Sequence, residues 1–377
     1  MKHIWALFLA SAMFMPIPGQ AQVRVGVTTS LTGPGASIGI PTKNALDFWP
    51  KNISGQDIHI QVLDDAGDPT VATKNAWRFA TEGFDIIVGA ANTPAAIAVA
   101  KVAKETKTPQ LAPSPAELPK GEDYWTFRVV MPATFYIEAM LEDMAKHQIK
   151  TVGFIGLSDA YGESHLQALK EQASSRGIEL IATERFSRTD SSVAGQALSL
   201  AAKKPDAVIA IAVGGGAALP QKALKDRGYK GRIYHTAASV SPDFLRLAGK
   251  DAEGAIVVSG PEQVPEQLPD SHPGKQTSLE FVALYEKKYG PGTRTQFAAN
   301  TYDLGLVMEK IVPQALKEAK PGTPEFRAAL RDALETQGDI IVTKGPLHYS
   351  PDDHWGFGPY ARVLITPDMQ GGWKLVP

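Results

Sequence analysis

Residues 86–114, IIVGAANTPAAIAVAKVAKETKTPQLAPS, decide how the rest of the chain is read. Ile86, Ile87 and Val88 form a short apolar run closed by Gly89, which suits a strand covered on both faces. Asn92 or Thr93 is a candidate N-cap, and Pro94 suits the start of a helix, where its missing N–H costs nothing. Ala95, Ala96, Ala98, Val99, Val102 and Ala103 then repeat at helical spacing. A second short strand ends at Ala112-Pro113-Ser114. Two strand ends and one helix start therefore meet with hydroxyls and backbone amides together, an arrangement that favours a small anion such as a carboxylate. The hydroxyls of Thr93 and Ser114 read equally well as a helix cap and a turn, and local sequence leaves both roles open.

Working outward, the same alternation of strand and helix continues on both sides. Upstream, residues 23–31 begin with strict alternation and predict the first strand. A turn at Thr32-Gly33-Pro34-Gly35 follows, then a helix over 36–49 and a second strand over 58–63. Asp64-Asp65-Ala66-Gly67-Asp68-Pro69 leads into a helix over 70–81. Asp64, Asp65 and Asp68 look like a calcium loop only superficially, because no acidic residue stands at its twelfth position; they read as strand-end and N-cap residues.

Downstream, the series pauses near Phe127-Arg128-Val129-Val130 and restarts with a helix over 135–147. Strands are predicted at 151–155, 178–183, 207–212, 232–235 and 255–258, with helices at 162–175, 194–202 and 217–227 between them. Residues 261–273 read as a surface loop, and 278–289, 296–318 and 326–336 as helices without strands of their own. The expectation is an α/β protein with two doubly wound parallel-sheet domains, joined by several crossovers that make a hinge. The predicted division is residues 22–130 with 262–343 in one lobe, and 131–261 with 344–377 in the other.

Composition narrows the function. Residues 1–21 read as a cleavable signal peptide: an apolar run from Ile4 to Met15, too short to span a bilayer, then small residues before Gln22. The chain of 377 residues contains no cysteine, which excludes disulfides, thiolate metal sites and a cysteine nucleophile, and suits a periplasmic location. With 38 basic and 40 acidic residues, the balance argues against a nucleic-acid partner. The histidines are scattered away from metal-ligand spacing, no G-x-S-x-G elbow occurs, and Gly214-Gly215-Gly216 lacks the spacing of a dinucleotide loop. Neither an enzyme nor a cofactor is implied.

An ordered set of short motifs runs along the mature chain: Gly26-Val27 to Pro34, Asp64 to Pro69, Val88-Gly89, Pro109 to Ser114, Ala160-Tyr161-Gly162-Glu163, Ala252-Glu253-Gly254 and Gly345-Pro346-Leu347. In this set the chain resembles the type I periplasmic solute-binding proteins of ABC transporters, in the branch of the leucine/isoleucine/valine-binding proteins. The resemblance implies a monomer that traps a small molecule by hinge closure and delivers it to an inner-membrane ABC permease. It also implies that Thr93, the Ala112 backbone and Ser114 hold a ligand carboxylate. Tyr161 would reach the ligand from the second lobe, while Ile38 and Phe297 would wall the cleft. A sensory module of the same fold is the alternative role.

The sequence departs from that pattern near Tyr234. Ala237 falls where amino-acid binders of the branch carry an acidic residue for the ligand ammonium, and a buried ammonium without a partner is costly. The position of a second-lobe tyrosine of the branch falls near Val213, in the run Gly214-Gly215-Gly216, whose small residues leave room for a flat ring. His235 is expected at a strand end facing the cleft, where a hydrogen bond to a ligand hydroxyl and a structural role are both open. The expected ligand is therefore a carboxylate with an apolar or aromatic body, of the benzoate or phenylpropanoid type, with a branched-chain amino acid as the alternative.

Overall fold

The computed structural model describes residues 22–368 and 371–376; the signal-peptide reading of 1–21 lies outside them. The first half of the chain gives β1 (Val23–Thr29), α1 (Ala36–Ala45), β2 (Asn52–Ile53), β3 (Gln56–Asp64), α2 (Pro69–Thr81), β4 (Ile86–Val88), α3 (Thr93–Thr106), β5 (Gln110–Ala112) and β6 (Thr126–Arg128). The order β2-β3-β1-β4-β5-β6 makes one sheet, parallel throughout except for the short edge strand β2. Ile86, Ile87 and Val88 are buried, as a central strand with helices on both faces requires.

The second series gives α4 (Ala133–Lys146), β7 (Thr151–Leu157), α5 (Ala160–Gln172), β8 (Glu179–Phe186), α6 (Ala194–Lys203), β9 (Ala207–Ile211), α7 (Ala218–Asp226), β10 (Arg232–Thr236), α8 (Pro242–Ala248) and β11 (Ala255–Ser259). It is followed by α9 (Lys275–Tyr289), α10 (Gln296–Glu318), α11 (Pro324–Thr336), the hairpin β12 (Ile340–Val342) with β13 (Gly345–Leu347), and then β14 (Val363–Pro367) and β15 (Trp373–Leu375). The second sheet runs β15-β14-β11-β10-β9-β7-β8, with β14 and β15 added antiparallel at one edge. The parallel parts, β3-β1-β4-β5-β6 and β8-β7-β9-β10-β11, repeat one winding order. The expected doubly wound α/β architecture is borne out.

After β11 the chain leaves the second sheet, and α10 packs against α1 of the first lobe; there Trp49 donates from its indole Nε1 to the Thr301 carbonyl at 2.7 Å. It then returns to the second sheet as β14 and β15, so counting the passage from β6 to β7 it crosses between lobes three times. Among the differences from the sequence reading, two bear on the path between the lobes. The pause near Phe127 is the edge strand β6, whose three residues are too short for a periodic signal. Residues 261–265 form short 3-10 turns and are buried rather than on the surface, because this crossing passes beneath α9 and α10.

Candidate ligand-binding site

The C-terminal strand ends of the two sheets face each other, and the segments just past them enclose a slot. From the first lobe come Ile38 after β1, Ala91, Asn92 and Thr93 after β4, Pro113, Ser114 and Pro115 after β5, and Val130 after β6. Gln296, Phe297 and Asn300 of α10, which packs on the first lobe, extend this side, and opposite stand Tyr136 on α4, Tyr161 after β7, Arg188 after β8, Val213 after β9 and Ala238 after β10. The slot holds about 420 Å³ of empty space out to its mouth. Its principal side chains are buried, which means the lobes are closed over it.

At the α3 end, the polar groups are not equivalent. Asn92 caps the helix, its side-chain oxygen accepting from the Ala95 N–H at 3.1 Å, and Pro94 has no N–H to offer. Of the first-turn donors the Thr93 amide therefore remains, beside a Thr93 hydroxyl that has no hydrogen-bond partner among the described residues. Ser114 already donates its proton to the Ala90 carbonyl at 2.8 Å. Behind them, buried Asp65 accepts from Ser30 at 2.8 Å and from the Gly67 N–H at 2.9 Å, and Asn92 reaches Ser30 at 3.4 Å, fixing the helix start. Burial raises the Asp65 carboxyl above the usual range.

The opposite wall is aromatic. Tyr161 exchanges a hydrogen bond with the Thr236 hydroxyl at 2.6 Å, and buried His165 packs behind it at a tilt of 58° with ring centroids 4.6 Å apart. The His165 Nδ1 lies 2.8 Å from the Tyr161 carbonyl, and burial lowers its pKa to about 4, so the ring is neutral and Nδ1 carries the donated proton. Gly162, next along α5, lets that helix pass close to β7: a Cβ there would stand 1.8 Å from the Leu157 carbonyl. Arg188 is the one charged side chain among the lining residues, and its Nε donates to Asp159 at 2.6 Å.

Structural comparison finds matching architecture over nearly the whole chain. An extracellular ligand-binding receptor from Rhodopseudomonas palustris HaA2 is 45% identical with a TM-score of 0.92, covering 94% of this chain and 100% of that one. A family model described as "Periplasmic binding protein" matches residues 22–366. The chain belongs to the periplasmic binding protein family. Among sequence relatives of this periplasmic binding protein is the Leu/Ile/Val-binding protein BraC3 of Rhizobium johnstonii, 24% identical over 363 residues and 93% of each chain. A solute-binding protein of an R. palustris ABC transporter, solved in complex with benzoate, shares the fold at 19% identity and TM-score 0.79, covering 94% of this chain and 95% of that one.

Of the residues singled out from sequence, the binding protein brings Ile38, Thr93, Ser114, Tyr161 and Phe297 together on the slot. Four stand off it. The Ala112 carbonyl accepts from the Val129 N–H at 3.2 Å as β5 runs into the sheet edge. Ala237 is buried in the turn after β10, and its neighbour Ala238 lines the slot instead, a shift of one residue. His235 points to the helical side of β10, its Nε2 2.9 Å from Gln221 and its ring edge-on to Phe244; burial lowers its pKa to about 3. Gly214, at φ +54°, lies against Ser37 of α1, which a Cβ would approach to 3.0 Å, while Val213 lines the slot.

Sequence reasoning missed Tyr136, Arg188 and Asn300. Asn300 carries a link to the crossing segments: it donates to the Pro113 carbonyl at 3.1 Å and accepts from the buried Lys344 ammonium at 2.8 Å. Lys344 also lies 3.4 Å from Asp303 and 3.9 Å from Glu262. Burial lifts the Asp303 carboxyl to about 6 despite Lys344 beside it. Only tertiary packing places these residues together, and no local motif marks them.

Proposed function

We propose that this periplasmic binding protein captures a small carboxylate with an apolar or aromatic body, closes its lobes over it, and presents the closed form to an inner-membrane ABC permease. The observation that carries the reading is the make-up of the slot. Hydroxyl and amide donors gather at the start of α3, apolar and aromatic side chains form the body, and no acidic side chain is among the lining residues. A carboxylate has donors to accept from there. The ammonium of an amino acid would have no carboxylate to meet, and leaving it unpaired in a closed slot is costly. The benzoate in the R. palustris neighbour supports the same ligand chemistry. The moving bodies in this reading are 22–130 with 262–343 and 131–261 with 344–377, acting as a monomer after export.

The second reading, uptake of a branched-chain amino acid, is favoured by the Leu/Ile/Val-binding relatives. A thermal-shift series followed by calorimetry separates the two, since a ligand of the folded form raises the midpoint. Benzoate and 3-phenylpropanoate are expected to raise it while leucine, isoleucine and valine do not. A shift with leucine alone overturns the carboxylate reading.

A further inference from the structure

Beside the slot lies a second chamber of about 510 Å³ of empty space out to its mouth, lined in part by Ser37, Leu157, Phe186, Ser187 and Asp190. Ile38, Arg188 and Val213 belong to the walls of both spaces, so the Arg188 side chain stands at the partition. Its Nε is held by Asp159, itself fixed as the N-cap of α5 by bonds from the Tyr161 and Gly162 amides at 3.0 and 3.2 Å. Both terminal guanidinium nitrogens have no hydrogen-bond partner among the described residues. Arginine thus offers a fork oriented by Asp159 but not consumed by it. It also belongs to the lobe opposite Thr93.

We propose that the ligand is a two-ended acid, with its carboxylate at the α3 start and a second oxygen function, such as a hydroxyl, received by the terminal nitrogens of Arg188. This rests on the carboxylate reading above and adds the far end. A ligand shifts the open–closed balance only through interactions that differ between the two forms. An acid with one polar end finds its polar partners on one lobe, whereas a two-ended acid fastens both. The apolar side chains of Ile38 and Val213 suit the spacer between the ends, and the second chamber gives the far substituent room. A far-end ammonium would meet the Arg188 cation on one side and the Asp190 carboxylate of the same chamber on the other, so it gains less from Arg188 than a hydroxyl does.

The test is calorimetric titration of the mature protein with benzoate and 3-phenylpropanoate, each carrying hydrogen, hydroxyl or aminomethyl at the para position. In at least one series the hydroxyl form is expected to bind about tenfold or more tighter than the parent, the scale of a hydrogen bond to a charged group, and tighter than the aminomethyl form. Arg188→Met should erase the hydroxyl gain, weakening the hydroxyl acid markedly more than the parent acid. The double variant Arg188→Gln with Asp159→Asn serves as a second probe without an orphaned carboxylate, and the same loss of selectivity is expected of it. Equal weakening of parent and hydroxyl acids in both variants, or flat para series in wild type, overturns the proposal while leaving the carboxylate reading in place. If neither parent acid nor any derivative binds, both fall together.

Discussion

The two walls of the slot are built by the same winding order, yet they differ in chemistry. On the first lobe, the wall is a helix start: small residues, a capped first turn, and hydroxyls whose protons are either free, as at Thr93, or committed, as at Ser114. On the second lobe, the wall is long side chains, with Tyr136, Tyr161 and Arg188 reaching across and His165 and Asp159 holding two of them from behind. The difference teaches that the repeated fold fixes where recognition happens but not its chemical form. Backbone geometry dominates one side, and side-chain choice dominates the other.

The sharpest way to break the comparison lies within the first wall. Thr93→Val removes an unbonded hydroxyl at constant shape and is expected to weaken carboxylate binding by roughly tenfold to a hundredfold in calorimetry, with the melting temperature of the free protein little changed. Ser114→Ala should show the reverse split. It leaves the Ala90 carbonyl without its donor, so stability falls by about 1–3 kcal/mol while the affinity loss is the smaller of the two. Equal affinity losses would mean that the hydroxyls are equivalent and that the Ala90 bond does not matter.

Acid sharpens the second wall. His165 and His235 titrate at about 4 and about 3 in the folded protein against 6.5 for a free histidine, so the unfolded chain binds more protons below that value. Stability should fall as pH drops from about 6.5 towards 4, by up to about 1.4 kcal/mol per pH unit for each ring. Asp303, raised to about 6, opposes this more weakly: its contribution is largest below the ordinary carboxylate range and is lost as pH rises to about 6. Urea midpoints at pH 7, 5.5 and 4.5 should therefore decline, and His235→Gln should flatten the decline. A decline in His235→Gln as steep as in the wild type would contradict the burial of a neutral ring there.

Smaller effects probe what joins the walls. Gly214→Ala forces a side chain into the left-handed region against Ser37, at a cost of about 1–2 kcal/mol. It should weaken every ligand alike, with small-angle scattering showing a more open free form; ligand-selective weakening would mean that Gly214 touches ligand after all. Asn92→Ala removes the α3 cap and should lower stability by about 1 kcal/mol in denaturant melts.

Much of the first wall was legible because its signals are local. Asn92, Thr93 and Pro94 spell a helix start, and Ile86 to Val88 spell the strand that delivers it. The second wall was not, because Arg188 follows β8 in a loop without any motif, and Tyr136 sits on a helix whose inward face only packing decides. His235 was expected at the cleft, but the alternation of a strand gives two faces, and β10 turns this one towards Gln221 and Phe244. The one-residue shift from Ala237 to Ala238 has a similar origin, in a turn whose geometry the sequence does not display. The antiparallel strands β14 and β15 escaped because strands of five and three residues carry weak periodicity.

Ile38, Thr93 and Tyr161 sit in the first turns of α1, α3 and α5, and most other slot residues outside α4 and α10 lie just beyond strand ends, so most of them carry none of the hydrogen bonds that hold the sheets together. Natural drift or a directed library confined to positions 130, 188 and 213 would alter what the slot accepts while leaving the buried members of the main core in place, whereas Ile38, Tyr136 and Ala238 belong to that core as well as to the slot. Specificity is therefore exchangeable at some slot positions and tied to stability at others.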